Sequence, residues 1–550
     1  MEHLSNKRKV SIMIAIMAAM FFSAINQTII GVAMPRIIAK LGGMDYYTWA
    51  ITIYLLTSTV ATVLVGKLSD IYGRKPFVLV GIGVFMLGAF LSGFSKDIIQ
   101  LIIYRGIQGV GAGIIMSTAF TAVGDLYAPR ERARWTGLMS GVFGLSSVLG
   151  PPLGGYIVDH LDWHWVFWLF LPLGIVAFIM IMTLFPKVER RPGESIDYLG
   201  SLFLTTTIVP LLLAFSWAGE GEGKYAWGSW QIIGLFAVTA VSLIIFLLVE
   251  MKAKSPVLPL SLFKNSVVTV SNLSGFVLNA GMMGAIIYVP FFVQGVKGIS
   301  PTYSGYVTMP MSIAMIVTMG VVGQMIARTG KYKAKAIVGL IIMAAGMVLL
   351  HFMGVDTPIY ITIIYMCILG FGLGISMPVF SLTVQNAVEP KQLGVATASS
   401  QLFRSLGGTI GIAVMGTIMG QRMTSKMTEL FAPAVGTAQQ VPMDPALAEQ
   451  MQEFLNPQAL LDQPKLEEFM SGLPVEMQAL FNEFLEKVRE ALSYAVTSTF
   501  LAGAIVTVAA VVLTFFLKEI PLRSEKDAKP AAKEAAEGKR AGFSKPRTDS

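Results

Sequence analysis

Long apolar runs recur along the whole chain, and short polar segments separate them. A helix needs about 20 mostly apolar residues to cross the hydrocarbon core of a bilayer. On that length the sequence predicts an all-α membrane protein with fourteen membrane-spanning helices. The predicted spans are 11–34, 46–66, 77–95, 98–124, 135–158, 165–185, 198–217, 230–250, 267–293, 303–327, 334–353, 358–384, 393–419 and 493–517.

The composition supports a membrane protein rather than several soluble domains. Apolar residues make up 54% of the 550 residues and charged residues 13%, and the mean hydropathy is +0.67. Soluble domains carry about 25% charged residues. The apolar run that follows the basic residues 7–9 is too long for a signal peptide and leads into further spans, so we predict an uncleaved first helix.

The distribution of Lys and Arg predicts the orientation, because cytoplasmic loops carry an excess of both. With the N-terminus inside, the cytoplasmic segments up to Lys391 hold twenty basic residues and the short outer loops hold five. Both termini are then cytoplasmic, which an even number of spans requires. This bias accounts for the net charge of +8, so we expect no nucleic-acid partner.

Two stretches depart from the pattern of spans. Residues 421–492 contain five basic and eleven acidic residues, which predicts a large extracellular loop. Its periodic apolar positions indicate short amphipathic helices, with a turn at Gly472-Leu-Pro474. A cap over the outer face is the simplest role, and a gating role is the alternative. Residues 518–550 are rich in Lys, Glu, Ala and Pro, which is typical of a disordered cytoplasmic tail.

An internal repeat divides the chain. Residues 102–117 match residues 363–378, and their glycines align at a constant spacing: Gly109, Gly111 and Gly113 with Gly370, Gly372 and Gly374. Gly66 and Gly73 match Gly323 and Gly330 in the same way. The repeat predicts two related halves. We therefore divide the chain into a six-helix half at 1–190, an inserted helix pair at 191–260 and a second six-helix half at 261–517.

The segment between the second and third spans combines glycines with charges. It contains Gly66-Lys-Leu-Ser-Asp70-Ile-Tyr-Gly73-Arg74-Lys75. This segment resembles the signature loop of the major facilitator superfamily. The resemblance implies a conformational latch, in which Asp70 pairs with a base across the cytoplasmic face in one state, and we place Asp125 with it. The alternative is a basic loop that only fixes topology.

The fifth span contains closely spaced small residues. The pattern is Gly144-Leu-Ser-Ser-Val-Leu-Gly150-Pro151-Pro152-Leu-Gly154-Gly155. It resembles a motif that the same superfamily associates with antiporters. Small residues let helices approach closely in a membrane. The alternative is a kinked packing helix with no role in the direction of transport.

The first and thirteenth spans carry two further motifs, Asn26-Gln27-Thr28-Ile-Ile-Gly-Val-Ala-Met-Pro35 and Arg404-Ser-Leu-Gly-Gly408. With fourteen spans, they resemble the drug:proton antiporter family of the EmrB/QacA type. The resemblance covers about 1–420 and the last span. It implies a major facilitator fold arranged 6+2+6, a monomer in a bacterial inner membrane, no cofactor and a proton gradient as energy source. The family usually has Asp at the position of Asn26, where it takes part in proton coupling.

Charged residues inside the spans are candidates for function. Only Arg105 and Arg404 lie well inside, and every carboxylate lies at a span end or outside. Asp159, at the outer mouth of the fifth span, is the nearest candidate for a titrating group, although a solvated loop residue has the same pattern. Hydrogen bonding to helix ends is the alternative for both arginines.

Polar and aromatic residues in spans from both halves are candidates for a substrate cavity. They are Asn26, Gln27, Tyr54, Asn279, Tyr288 and Phe292. Adaptable Met-rich surface in the same spans suits a promiscuous pocket for a lipophilic substrate.

Three functions remain open from the sequence. The first is a secondary active exporter of lipophilic or cationic drugs, driven by protons and working by rocking of the halves. The second is an exporter of an endogenous lipid or anionic amphiphile, which two buried arginines without a buried acid would favour. The third is a membrane enzyme or receptor, although the sequence contains no P-loop, metal constellation or nucleophile–base pair.

Overall fold

A computed structural model describes residues 5–127, 129–186, 197–218, 225–253, 256–388, 392–435, 460–461, 463–473 and 475–520. Nearly all of this part is helical. The α-helices are α1 (Asn6–Leu41), α2 (Tyr47–Tyr72), α3 (Arg74–Ser92), α4 (Ile98–Leu126), α5 (Pro129–His160), α6 (Trp165–Trp168), α7 (Leu171–Leu184), α8 (Tyr198–Trp217), α9 (Trp230–Lys252), α10 (Ser266–Gly295), α11 (Pro301–Thr329), α12 (Lys333–His351), α13 (Ile359–Asn386), α14 (Leu393–Val435), α15 (Gln463–Gly472) and α16 (Val475–Phe515).

The predicted all-helical membrane fold is confirmed, and each predicted span coincides with a helix. Thirteen helices in the described residues are long and apolar enough to cross a membrane, with α6 and α7 together forming one of them. The predicted span 46–66 corresponds to α2, whose described apolar stretch, Trp49–Thr62, is shorter than a full span. The total of fourteen spans therefore stays a prediction.

The internal repeat is visible in the way helices pack. In α4, a Cβ added to Gly109 would lie 2.4 Å from the carbonyl oxygen of Tyr54 in α2, and one added to Gly111 would lie 2.3 Å from the amide nitrogen of Phe85 in α3. In α13, Gly370 approaches the carbonyl of Met311 in α11 and Gly372 approaches the amide of Met343 in α12. Each glycine helix thus lies between two neighbours in the same way. We call α1–α7 the first half and α10–α14 with α16 the second half.

A second repeated glycine position has a conformational cause. Gly73, between α2 and α3, has φ +93°, and Gly330, after α11, has φ +67°. Only glycine adopts such angles without steric cost. The match between Gly73 and Gly330 therefore reflects a positive φ after the second helix of each half, although ψ differs, at 153° for Gly73 and −9° for Gly330.

The two helices that flank residues 421–492 are longer than the predicted spans. Helix α14 continues to Val435, and α16 begins at Val475, well before the predicted span. The predicted turn near Gly472 is confirmed, since α15 ends there. The apolar side chains of Leu460, Leu461 and Phe481 are buried in the main core. We call the described residues of 421–492 the far-end cap.

The inserted pair α8 and α9 packs side by side, and α8 also contacts α2 of the first half and α14 of the second. One hydrophobic cluster joins these elements: Leu56 of α2, Leu402 of α14, Leu204 of α8 and Phe246 of α9 are all buried in it. The pair therefore lies along a seam between the halves.

The packing predicts that Gly111→Ala destabilises the protein. The new methyl group would overlap the backbone of α3, and overpacking of this kind costs about 1–3 kcal/mol. The thermal midpoint in detergent should fall, and Gly372→Ala in the second half should have a similar effect. The matched control is Gly83→Ala, whose Cβ would meet only a ring atom of Phe178 at 4.0 Å. Equal midpoints for Gly111→Ala and this control would contradict the prediction.

Candidate functional site

Helix α5 contacts the opposite half at one end of the bundle. We call the end where α1 begins the near end and the end where it finishes the far end. Toward the far end, a Cβ on Gly155 would lie 2.2 Å from the carbonyl oxygen of Pro301 in α11, and one on Gly305 would lie 2.4 Å from that of Pro151. Such distances require that the two backbones touch. The glycine and proline motif of α5 is thus a contact between halves.

The same motif contacts α1 with its other glycines. A Cβ on Gly150 would lie 2.0 Å from the Oγ1 of Thr28, and one on Gly154 would lie 2.7 Å from the carbonyl oxygen of Ile29. The Thr28 hydroxyl also donates to the carbonyl of Ser146 at 2.9 Å. Helix α5 therefore has two small-residue faces, one for its own half and one for the other.

Polar contacts between the halves also lie at the far end. Asp159 lies in the last turn of α5. One of its carboxylate oxygens accepts a hydrogen bond from the backbone amide of Thr302 at 2.8 Å. This amide lies in the first turn of α11, where a negative charge is favoured. Gln294 of α10 donates to the carbonyl of Val32 in α1 at 2.9 Å. We call this set of contacts the far-end seal.

Toward the near end, α5 and α11 separate. A Cβ on Gly144 would still contact Ile316 at 3.2 Å, but one on Gly141 or on Gly320 would meet no atom within 4 Å. Gly141 lies three residues before Gly144 on α5, and Gly320 lies four residues after Ile316 on α11, so both lie on the helix faces that make this contact. The pair of helices is thus closed at the far end and open at the near end.

Inside the first half, a polar cluster surrounds Arg105 of α4. Its guanidinium donates to Gln108 Oε1 at 2.8 Å and to Asn26 Oδ1 at 3.3 Å. Gln108 Nε2 donates to the same Asn26 oxygen at 3.1 Å, and the Arg105 guanidinium carbon lies 4.4 Å from the ring centroid of Tyr54. All four side chains are buried. The sequence-predicted residues Asn26, Tyr54 and Arg105 are therefore brought together.

This cluster holds a buried positive charge without a carboxylate partner among the described residues. Arg105 is 1% exposed, its acceptors are neutral amides and its Nε has no hydrogen-bond partner there. A buried charge is costly unless it is paired or well hydrogen-bonded. The face of the Tyr54 ring supplies part of the compensation by a cation–π contact. The site can therefore favour a negative group brought near it.

The second half has a different polar group around Arg404 of α14. A guanidinium nitrogen of Arg404 donates to the Ser381 hydroxyl at 3.3 Å, and its Nε has no partner in the described part of the chain. The amide of Asn279 donates to the Arg404 carbonyl at 2.6 Å, which leaves Asn279 Oδ1 without a donor there. The predicted residues Asn279 and Arg404 are thus adjacent, with the side-chain amide of Asn279 bound to the backbone of Arg404 and not to its guanidinium.

The remaining predicted cavity residues have different environments. Tyr288 is fully buried against Tyr47 near the far-end seal, with ring centroids 6.3 Å apart, and Phe292 is fully buried in the same core. Gln27 is half-buried. Substrate contact by these residues stays a prediction.

The predicted latch is described only in part. Lys75 donates to the carbonyls of Met182 and Phe185, both at 2.7 Å, and so caps the C-terminal end of α7. A guanidinium nitrogen of Arg74 donates to the Ser69 hydroxyl at 2.7 Å. The side chains of Asp70 and Asp125 lie outside the described part of the structure. The latch itself stays a prediction.

Two members of the site, Gln108 and the backbone amide of Thr302, were not predicted from the sequence. Gln108 follows Arg105 by three residues, so both project from one face of α4, and this spacing was available as a signal. The Thr302 amide carries no sequence signature, because a helix N-terminus offers its N–H groups whatever the residue.

Two repeated helical halves, tightly packed at one end of a membrane-sized bundle and separated at the other, define a membrane transporter fold. The family model "Major Facilitator Superfamily" matches residues 16–412. The chain belongs to this superfamily, as the signature loop predicted.

Curated relatives align over almost the whole chain. The multidrug transporter protein MdtP of Bacillus subtilis is 39% identical over 521 residues, which cover 94% of each chain. Multidrug resistance protein 3 of the same organism is 32% identical over 506 residues, covering 92% of this chain and 94% of its own length. The likeness is therefore to multidrug transporters.

Solved structures share the fold at low identity. A bacterial homologue of the human lysosomal transporter Spinster, in an inward-facing and occupied conformation, superposes with a TM-score of 0.59 at 14% identity. The alignment covers 94% of this chain and 97% of that one. The human organic anion transporter MFSD10 gives a TM-score of 0.55 at 14% identity, with 92% and 99% coverage.

The polar cluster predicts the effect of Asn26→Asp. A carboxylate oxygen at this position can accept the same hydrogen bonds from Arg105 and Gln108, so transport should persist. The new carboxyl group can bind and release a proton beside Arg105, so the dependence of transport on pH should become stronger. The measurement is the pH profile of transport in liposomes.

The matched control is Asn26→Leu, which removes the acceptor and leaves the buried guanidinium with fewer partners. We expect this variant to lose most transport. Complete loss of transport in Asn26→Asp, with normal folding, would instead indicate that the Asn26 amide contacts substrate.

Proposed function

We propose that this protein is a secondary active exporter of lipophilic and cationic drugs, driven by proton antiport and operating by alternating access. Its near end then faces the cytoplasm of a bacterial inner membrane, with both termini inside. The observation that carries the proposal is the contact of α5 with α11, closed at the far end and open at the near end. Likeness to multidrug transporters supports the substrate class.

The mechanism follows from the two faces of α5. In this state a drug enters between the halves from the near end, where Gly141 and Gly320 face open space. Rocking then closes the near end and breaks the far-end seal, including the contact of Asp159 with the start of α11. Contacts of Gly150 and Gly154 with α1 stay intact, because α1 and α5 belong to one half. Drug release on the outer side follows.

The transport test uses inverted membrane vesicles with an acidic interior. Under this proposal the vesicles accumulate a lipophilic cationic dye, and a protonophore abolishes the accumulation. Vesicles that lack the protein provide the background. Dye that stays out under a gradient, with a correctly folded protein, would contradict drug export by proton antiport.

Alternating access predicts two crosslinks in a Cys367→Ser background, since Cys367 is the only cysteine. The pair Asp159→Cys and Thr302→Cys should crosslink in the resting protein, because the two residues touch at the far end. The pair Gly141→Cys and Gly320→Cys should crosslink only during turnover with substrate and gradient. Equal crosslinking of the second pair at rest and in turnover would contradict the rocking motion.

One observation favours a second function, the export of an endogenous lipid or anionic amphiphile. Arg105 has no carboxylate partner among the described residues, and Arg404 has an unpartnered Nε. An anionic group could provide the missing acceptors. In the same vesicles, uptake of an anionic amphiphile that exceeds dye uptake, and that falls in Arg404→Gln, would favour this function.

A further inference from the structure

A carboxylate in the inserted pair is buried in an unusual way. Glu250, in the last turn of α9, is 4% exposed. Its Oε1 accepts hydrogen bonds from the amides of Val257 and Leu258, at 3.0 and 3.1 Å. These bonds fold the chain after α9 back onto the helix. The second oxygen, Oε2, is buried and has no hydrogen-bond partner in the described part of the chain.

A second carboxylate near it has the same pattern. Asp197 precedes α8, and its Oδ1 accepts from the amide of Gly200 at 2.7 Å, which caps that helix. Its Oδ2 is also buried and lacks a donor among the described residues. Asp197 lies close enough to Glu250 to act on it electrostatically as a like charge.

The charged groups around Glu250 include no described counter-ion in contact. The elements that pack on α9 contribute Asp197 and Tyr198 at the start of α8 and Lys264 after the turn, and α9 itself carries Lys252. None of these donates to Glu250 Oε2. A proton bound to Glu250 removes the repulsion between the two carboxylates and makes its orphaned oxygen part of a neutral carboxyl group.

The position of Glu250 connects it to both halves. Phe246, one turn earlier on α9, and Leu258, which donates to Glu250, both belong to the cluster that contains Leu56 of α2 and Leu402 of α14. A change in the Glu250 charge alters the turn that Leu258 belongs to, and that turn packs at the seam between the halves. Protonation at this site therefore acts where rocking takes place.

We propose that Glu250 and Asp197 form a proton-binding site in the inserted helix pair, with Glu250 as the group that gains and loses the proton. The proposal rests on the proposed proton-driven export and names a carrier for it, since Asn26 does not titrate. The proton binds and leaves as a simple acid–base step, with no other reactant. Asp197 is a positioning residue, because its negative charge repels the Glu250 carboxylate and so favours the protonated form of Glu250.

The experiment compares two measurements on the full-length protein in liposomes. One is dye accumulation driven by an imposed pH gradient, and the other is dye exchange without a gradient. Glu250→Gln should reduce gradient-driven accumulation by about tenfold or more, because the carrier is lost. Exchange should persist, because the amide keeps an acceptor for Val257 and Leu258.

The matched control is Glu519→Gln. Glu519 Oε1 also accepts from two backbone amides, those of Tyr332 and Lys333, at 2.8 and 3.3 Å, but this side chain is exposed. Gradient-driven accumulation should be unchanged in this variant. If Glu250→Gln accumulates dye as well as Glu519→Gln and the wild type do, the proposed proton site is wrong. If the wild type itself exchanges dye but does not respond to the gradient, the proposed antiport is wrong instead.

Two further measurements test the proposal even if Glu250→Gln folds poorly. Asp197→Asn removes the like charge that acts on Glu250, so the pH midpoint of gradient-driven transport should move to more acidic values. Difference infrared spectra of the wild type should contain a protonated-carboxyl C=O band that titrates with pH and is missing in Glu250→Gln. A carboxylate band that stays ionised at every pH, or an unmoved midpoint, would overturn the proposal.

Discussion

Close backbone contact along α5 is the constraint on which the arrangement of the halves depends. In hydrocarbon there is little hydrophobic gain from joining two apolar helices, so association relies on tight packing and on hydrogen bonds. Gly150 and Gly154 supply that packing toward α1, and Gly155 supplies it toward α11. A larger side chain at any of them would hold two helices apart, and the seal between the halves would be lost with it.

The spans were predictable because apolar length alone determines where a helix crosses a bilayer. The repeat was predictable for a related reason, since Gly111 and Gly372 must be glycine for their backbones to approach α3 and α12. The ends of α14 and α16 were not predictable from hydropathy. Both helices continue past the apolar stretch with the same helical period, so polarity marks the edge of the membrane and not the end of the helix.

The candidate site was predictable in its members and less so in its contacts. The sequence indicated Asn26, Tyr54 and Arg105 as separate candidates, whereas Gln108 completes the network that joins them. Tyr288 and Phe292 were chosen as aromatic residues of a span, but hydropathy does not distinguish a lining residue from a packed one. Glu250 appeared in the sequence only as an acid at a span end, because its backbone partners come from the following turn.

The length of α14 has a mechanical consequence. Its 43 residues form one continuous helix of about 64 Å, and α16, with 41 residues, runs beside it. Two such rods extend from within the bundle to the far-end cap without a hinge between them. Under the proposed rocking motion, a tilt of the second half would displace the cap. An antibody fragment bound to the cap would then slow that motion from outside the bundle, without entering the space between the halves.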